Sequence, residues 1–404
     1  MRSIGIPQVQ ELTAGANAYP GILASLPKDT HHPTILFYGH FDVQPQGNEA
    51  DWASPPFKLT QRGDFLFGRG VTDSKGHNLA LLFALEELIK NQTPLKYNVK
   101  IFFEANEETG GRGLEHMLTQ NKSQFSSNFI VGLDAEMPRK MQPAIYHTTK
   151  GVSHFTLSVL GGDREFHSGY FGAIVYNPAI ELARYLASLT NKSGQVSIPG
   201  VAKVVKKPNH EELLSYKALN LKPRELFAPG DNAPIRKGVP TLILQNAFEP
   251  TLDVHGIQVG NVDQMKTAIP QKATATFSLR TVANLTPNHV EKCIKKHTES
   301  FFKPFGIRYT LIQDAAISYA YTNPHSPEVK MVGHSLKEVF GHKTILKRFS
   351  ATQPAASIMQ KILKRPFILT GFGIPEDNAH AANERLYIPH FIKGQEFVKH
   401  FLTH

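Results

Sequence analysis

A single cysteine, Cys293, stands in a chain of 404 residues. An internal disulfide is therefore impossible and thiolate ligation is excluded as the main chemistry, so any metal has to be held by His, Asp and Glu. Long apolar runs are lacking as well. The hydrophobic fraction of 41% is ordinary for a globular protein. No stretch approaches the roughly 20 apolar residues that cross a bilayer, so a membrane is not an expected partner. The start, Met1-Arg2-Ser3, shows no basic region followed by an apolar run and a small-residue cleavage site. No secretory signal is visible, and the cytoplasm is the expected location. Internal repeats and low-complexity runs are also missing.

Negative charge is the scarcer sign, with 34 Asp and Glu against 44 Lys and Arg, a net charge of +10. The basic residues are scattered, clustering only in short stretches such as Lys203-Val204-Val205-Lys206-Lys207, and no nucleic-acid-binding motif accompanies them. Nucleic acid is therefore not an expected partner. A basic surface that favours anionic substrates is the simpler reading.

The length predicts two domains. In the first third, Thr34-Ile35-Leu36-Phe37-Tyr38, Val99-Lys100-Ile101-Phe102-Phe103 and Phe129-Ile130-Val131-Gly132-Leu133 have the composition of buried strands, and Asn78 to Lys90 has that of a helix packed on a sheet. Strand and helix in alternation predict an α/β layer. From Gly151 the texture changes. Ser153 to Val159 alternates like a half-exposed strand, Asn177-Pro178 opens a helix, Ala273 to Leu279 alternates again and Thr286-Pro287 opens the helix that carries Cys293. This second domain, a strand and helix mixture, ends near Tyr319. Ser326-Pro327 then starts a helix, Phe367-Ile368-Leu369-Thr370 reads as a buried strand and a terminal helix follows, a return to the first domain. The segment from Lys203 to Pro240 is polar, spotted with proline and carries no assignable pattern.

Five local patterns carry chemistry. Gly39-His40-Phe41-Asp42 follows a strand, and there an imidazole can face a metal while the nearby carboxylate holds the ring. Gly68-Arg69-Gly70-Val71-Thr72-Asp73-Ser74-Lys75-Gly76 has glycines that permit a tight path around Asp73. Glu107-Glu108, ahead of Thr109-Gly110-Gly111, puts adjacent acids on an extended segment, one able to coordinate and the other to face a water. Asp134 ends the Phe129 to Leu133 strand, and His380 closes Gly373-Ile374-Pro375-Glu376-Asp377-Asn378-Ala379-His380. Taken singly, each has a plain structural reading as a turn, a helix cap or a solvated loop. Taken together, two imidazoles and three carboxylates fall near the ends of four predicted strands, where open α/β sheets bind their ligands. Three carboxylates shared by two divalent cations nearly neutralise them and leave a pair able to acidify a water, with Glu107 free to take the proton.

With these motifs in their order and spacing, the chain resembles the M20 metallopeptidases, a family that includes carnosinase-like dipeptidases, aminoacylases, glutamate-releasing carboxypeptidases and succinyl-diaminopimelate desuccinylases. The resemblance covers almost the whole chain. It implies a zinc-peptidase-like α/β catalytic domain, a central mixed sheet flanked by helices, over 1–150 and 320–404. An inserted α+β lid and dimerisation domain would occupy 151–319. It implies that His40 and Asp134 ligate one metal, that Glu108 and His380 ligate the other and that Asp73 bridges them. Glu136 remains the rival to Asp134. Glu107 is then the general base and Asp42 the orienting acid. Phe166-His167-Ser168-Gly169 is similar to the segment whose histidine, in dimeric members, reaches the partner subunit's site and polarises the scissile carbonyl, which gives His167 that role. Phe277-Ser278-Leu279-Arg280 is similar to the segment whose arginine grips a substrate carboxylate, and Thr267 stands where such members place a polar contact.

Two departures stand out. Family members usually carry a longer stretch, with at least one helix, ahead of the position of His40. Where dipeptidase-like members have a glycine-rich serine turn, this chain reads Arg348-Phe349-Ser350-Ala351-Thr352-Gln353-Pro354, with Thr352 in place of the serine. The resulting expectation is a homodimeric hydrolase with two divalent ions, zinc first and manganese or cobalt as alternatives, that cleaves the amide bond of a dipeptide. The alternatives are an N-acyl-amino-acid amidohydrolase of the aminoacylase or desuccinylase type and a non-catalytic binding protein of the same fold.

Overall fold

The computed structural model describes residues 1–16, 18–219, 239–261, 263 and 266–404. Much of the unassigned polar segment from Lys203 to Pro240, namely 220–238, lies outside the described residues. The chain forms two compact units, one of Met1–Thr148, Ala320–Arg348 and Pro354–His404, the other of Thr149–Tyr319 with Phe349–Gln353. No helix among the described residues is long and apolar enough to cross a membrane.

The first unit is built on a mixed sheet flanked by helices. Its order runs Gln8–Leu12, Gly21–Ser25, Asn98–Glu104, Thr34–His40, Phe129–Leu133 and Phe367–Thr370, followed by the start of the long strand Ala144–Leu160. The four inner strands, from Asn98–Glu104 to Phe367–Thr370, are parallel, with His40 beside Glu104 and Thr370 beside Leu133. Parallel strands covered on both faces should read as continuous apolar runs, and all five residues of Phe129–Leu133 are buried. The helix over Gly76–Lys90 begins two residues before its apolar pattern does, and packs Leu81, Ala84 and Leu85 into the core with Phe397 and Phe401 of the terminal helix Ile388–Thr403. Full burial of one such leucine contributes on the order of 2 kcal/mol.

Pattern reading found no strands before Thr34, whereas the structure places two there, Gln8–Leu12 and Gly21–Ser25, antiparallel to each other at the sheet edge. Only Leu12 of the outer strand is buried, so it offers little alternation to find. Because the inner strands are parallel, their carboxyl ends lie on one edge of the sheet. His40, Glu104, Leu133 and Thr370 are those ends.

The second unit centres on an antiparallel sheet in the order Arg308–Ile317, the remainder of Ala144–Leu160, Lys272–Thr281 and Thr251–Val259. Helices Pro178–Ser188 and Pro287–Phe302 supply Leu182, Tyr185, Val290, Ile294 and Phe302 to a core shared with Phe155, Leu157, Val159, Phe277 and Leu279. Both helices start as their sequences predict, the Asn177 side chain accepting from Ala179 N and Thr286 from His289 N. The alternation expected over Ser153 to Val159 is present, with Ser153, Phe155, Leu157 and Val159 buried and His154 and Thr156 half-buried; Ser158 alone departs from it and is buried.

Candidate metal centre

His40 is the last residue of its strand and is fully buried. Gly39 leaves room there for Asn78, whose Nδ2 donates to His40 O at 2.6 Å; a Cβ on Gly39 would sit 2.0 Å from Asn78 Oδ1. The ring Nδ1 lies 3.1 Å from the backbone oxygen of Asp42 and 3.3 Å from its Oδ1. Nε2 is thereby left to face outward, 2.9 Å from Asp73 Oδ1 and 3.2 Å from Asp134 Oδ1. The carbonyl of Asp42 thus approaches the ring more closely than its carboxylate does. That carboxylate reaches elsewhere, with Oδ2 accepting from Glu108 N at 3.0 Å.

Asp73 presents its other oxygen to a second cluster. His380 Nε2 is 2.8 Å from Asp73 Oδ2 and 3.3 Å from Glu108 Oε2, and Gln44 Nε2 donates to the same Glu108 oxygen at 2.7 Å. Two groups of three ligand atoms result, His40 with Asp73 and Asp134, and Asp73 with Glu108 and His380, all atoms in each group within 4.8 Å of one another. One imidazole and two carboxylates in each is a donor set for a borderline divalent cation, and Asp73 belongs to both groups. Asp134 is in the cluster and Glu136 is not. His380 itself adopts φ 66°, a left-handed backbone that costs a non-glycine residue on the order of 1 kcal/mol.

The electrostatics fit the same occupants. Burial opposes protonation of His40, yet Asp134, Asp42 and Asp73 outweigh it and raise its pKa well above the usual imidazole value. The hydrogen bond that His380 gives to Asp73 raises its pKa, against its partial burial. A site that draws protons onto both imidazoles has an excess of negative charge, which divalent cations would answer. The Glu107 side chain makes no hydrogen bond or ion pair among the described residues. Burial, with Asp134, Glu104 and Glu108 nearby, lifts its pKa well above the carboxylate range. Glu107 and Glu108 do not lie on an extended segment, as their spacing suggested, but on the short helical turn Glu107–Thr109, ended by Gly110 at φ 84°.

One group in this centre carried no recognisable pattern. The carboxylate of Glu384, 1% exposed, accepts four bonds: from Arg69 Nη1 at 2.7 Å, Gly70 N at 2.8 Å, Thr72 N at 3.0 Å and Asp73 N at 3.1 Å. It holds the loop that carries Asp73, where Gly70 adopts φ 83°. Nothing in Asn383-Glu384-Arg385 announces this, since its partners lie more than 300 residues away in sequence.

The remaining candidates lie in the second unit. His167 ends the strand Phe166–His167 and is exposed; its Nδ1 accepts from Gly169 N at 3.1 Å, which assigns the ring proton to Nε2. Thr267 is its neighbour, its carbonyl accepting from both Ser168 N at 3.1 Å and Ser168 Oγ at 2.8 Å. Arg280 Nη1 donates to Thr352 Oγ1 at 2.6 Å. Thr352 does not lie in a turn. It ends the strand Ile345–Thr352, which runs almost directly into the helix Pro354–Leu363.

The sequence profile of peptidase family M20/M25/M40 matches residues 36–404. The Beta-Ala-His dipeptidase of Homo sapiens is 31% identical over 389 residues, an overlap of 95% of this chain and 76% of that protein. The Cys-Gly metallodipeptidase of Saccharomyces cerevisiae is 27% identical over 418 residues, covering 100% of this chain and 86% of the relative. Among solved structures, the M20 family metallo-carboxypeptidase of Sulfolobus solfataricus aligns with a TM-score of 0.86 at 27% identity, over 100% of this chain and 92% of that one.

Proposed function

The chain belongs to peptidase family M20/M25/M40 and is a metal-dependent hydrolase of peptide bonds, and from that premise we propose that it cleaves dipeptides with the help of two divalent cations. The observation that carries the reading is Asp73, with one oxygen toward His40 and the other toward His380. His40 and Asp134 would hold one ion, Glu108 and His380 the other, and Asp73 both. Zinc suits this donor set, as do manganese and cobalt. Bound there, the ions would supply Lewis acidity, lowering the pKa of a water and stabilising charge on the scissile carbonyl.

Glu107 takes one proton from the attacking water as its oxygen bonds to the carbonyl carbon. It then returns that proton to the amine nitrogen as the C–N bond breaks. Cations bound beside Glu107 would offset the burial and the neighbouring carboxylates that raise its pKa, and so favour the ionised form that takes the proton. Asp42 fixes the His40 ring and the backbone of Glu108. His167, acting from the partner subunit of a homodimer, donates a hydrogen bond from its Nε2–H to the carbonyl oxygen and keeps its proton. Arg280 with Thr352 takes the substrate carboxylate and Thr267 adds a polar contact. The relatives named for Beta-Ala-His and Cys-Gly support a dipeptide as substrate.

The test is hydrolysis of a panel containing Beta-Ala-His, Cys-Gly and other dipeptides beside N-acetyl and N-succinyl amino acids, by protein loaded with zinc, manganese or cobalt and assayed for metal. Dipeptide cleavage with two ions per chain is expected. Cleavage confined to N-acyl amino acids would assign the chain to the amidohydrolases instead. No cleavage in any metal form would leave a binding protein of this fold.

A further inference from the structure

The sheet of the second unit has one face closed by helices and one polar face. Phe155, Leu157 and Val159 point to the helices, so the alternate residues Lys150, His154, Thr156 and Ser158 share the other side with Ser278 and Arg280. Most polar groups on that side satisfy one another. Thr156 Oγ1 donates to Asp314 Oδ2 at 2.7 Å, Ser158 and Thr274 share a hydrogen bond of 3.0 Å, and His255 Nε2 lies 2.7 Å from Ser278 Oγ.

The two cations are among the exceptions. The Arg280 side chain has its single bond to Thr352 and no ion pair among the described residues. Lys150 is 2% exposed and its side chain has neither a hydrogen bond nor an ion pair there. A buried lysine in no ion pair carries a desolvation cost, which Asp253 offsets only in part and an arriving anion would offset further. Burial and the charge of Arg280 hold the Lys150 pKa down to about 8, partly offset by Asp253, which pairs with Ser278 on the same face. Arg280 pairs with Val152, so Lys150 is its diagonal neighbour across the strands, roughly 7–8 Å away and within reach of a long side chain.

We propose that Lys150 and Arg280 together form a subsite for a C-terminal residue bearing two carboxylates, so that dipeptides ending in aspartate or glutamate are the preferred substrates. Arg280 with Thr352 takes the α-carboxylate, for which a planar fork is suited, and Lys150 takes the side-chain carboxylate as a point charge. This rests on the reading of the chain as a dipeptidase whose Arg280 holds the substrate carboxylate.

The experiment compares kcat/KM for Ala-Glu with Ala-Gln, and for Ala-Asp with Ala-Asn, in the metal-loaded wild type, Lys150→Met and Lys150→Arg. The expected result is a preference of about tenfold or more for the acidic partner, carried by KM, abolished in Lys150→Met and retained in Lys150→Arg. A wild type that does not discriminate overturns the proposal, and so does an equal loss on both members of each pair in Lys150→Met. Calorimetric titration of the same three proteins with L-glutamate and L-glutamine reads the subsite without catalysis. Tighter glutamate binding that Lys150→Met loses supports it, even if no dipeptide is cleaved and the dipeptidase reading fails. Equal binding of the two amino acids overturns it.

Discussion

The two units collect opposite charge in opposite kinds of sheet. In the first, parallel strands bring their carboxyl ends to one edge, and Asp73, Glu107, Glu108 and Asp134 crowd there around two histidines. In the second, the face of the antiparallel sheet opposite the helix-packed core gathers Lys150 and Arg280, neither in an ion pair among the described residues, with Asp253 on the same face. Each cluster is a poor arrangement for stability alone, since like charges are gathered and partly desolvated. What the contrast teaches is that gathered like charge is a reason to look for a ligand, cations at the acidic cluster and, under the proposal above, a carboxylate at the basic one.

Four substitutions would break or sharpen that contrast, the largest effect first. Glu107→Gln is expected to lower kcat by about 10³-fold or more while bound metal, counted by atomic absorption, stays unchanged. Near-normal turnover would remove Glu107 from the chemistry. On the cationic side, Arg280→Met is expected to raise KM for dipeptides by roughly 100-fold with metal content again intact, since a charge-assisted fork to a carboxylate is lost. A variant whose kcat alone falls would place Arg280 in the bond-breaking step instead.

Glu384→Gln should weaken metal binding by roughly tenfold, as the carboxylate that orients the Asp73 loop loses charge. Titration of the metal-free protein with zinc reads this directly, and an unchanged affinity would reduce Glu384 to a structural anchor. The smallest effect belongs to Glu104, buried and bonded by Tyr38 Oη, whose pKa burial raises to about 7. A carboxyl with a raised folded pKa stabilises fully below its unfolded value near 4.5. That stability is lost as pH rises toward 7. In chelator, Glu104→Gln should therefore flatten the decline of Tm between pH 5 and 7.5, at roughly 2–4 °C per kcal/mol removed. An identical pH profile in wild type and variant would show that Glu104 titrates normally.

Legibility followed locality. The strand Phe129–Leu133 and the strand Phe367–Thr370 have the bounds of their apolar runs, because strands buried on both faces leave a continuous signature. The helix starts at Asn177-Pro178, Thr286-Pro287 and Ser326-Pro327 were legible because a cap and a proline act within one turn. The outer strand Gln8–Leu12 was not, since a mostly exposed edge strand has no apolar face to show. Nor was the turn over Glu107–Thr109, where a glycine three residues on, rather than the acids themselves, sets the backbone. Glu384 was invisible because its four donors come from a distant loop.

The sequence alone thus determined the alternation of strand and helix, the residue types able to hold a metal and their places near strand ends, since composition and short-range pattern are properties of neighbours. Tertiary structure decided which of these side chains share an atom's width of space. Asp73 meets both His40 and His380, Asp134 enters the cluster while Glu136 stays out, and Lys150 is buried beside Arg280 with no acid bonded to it. These are distances between groups far apart along the chain, fixed by strand register and loop closure, and no local pattern encodes them.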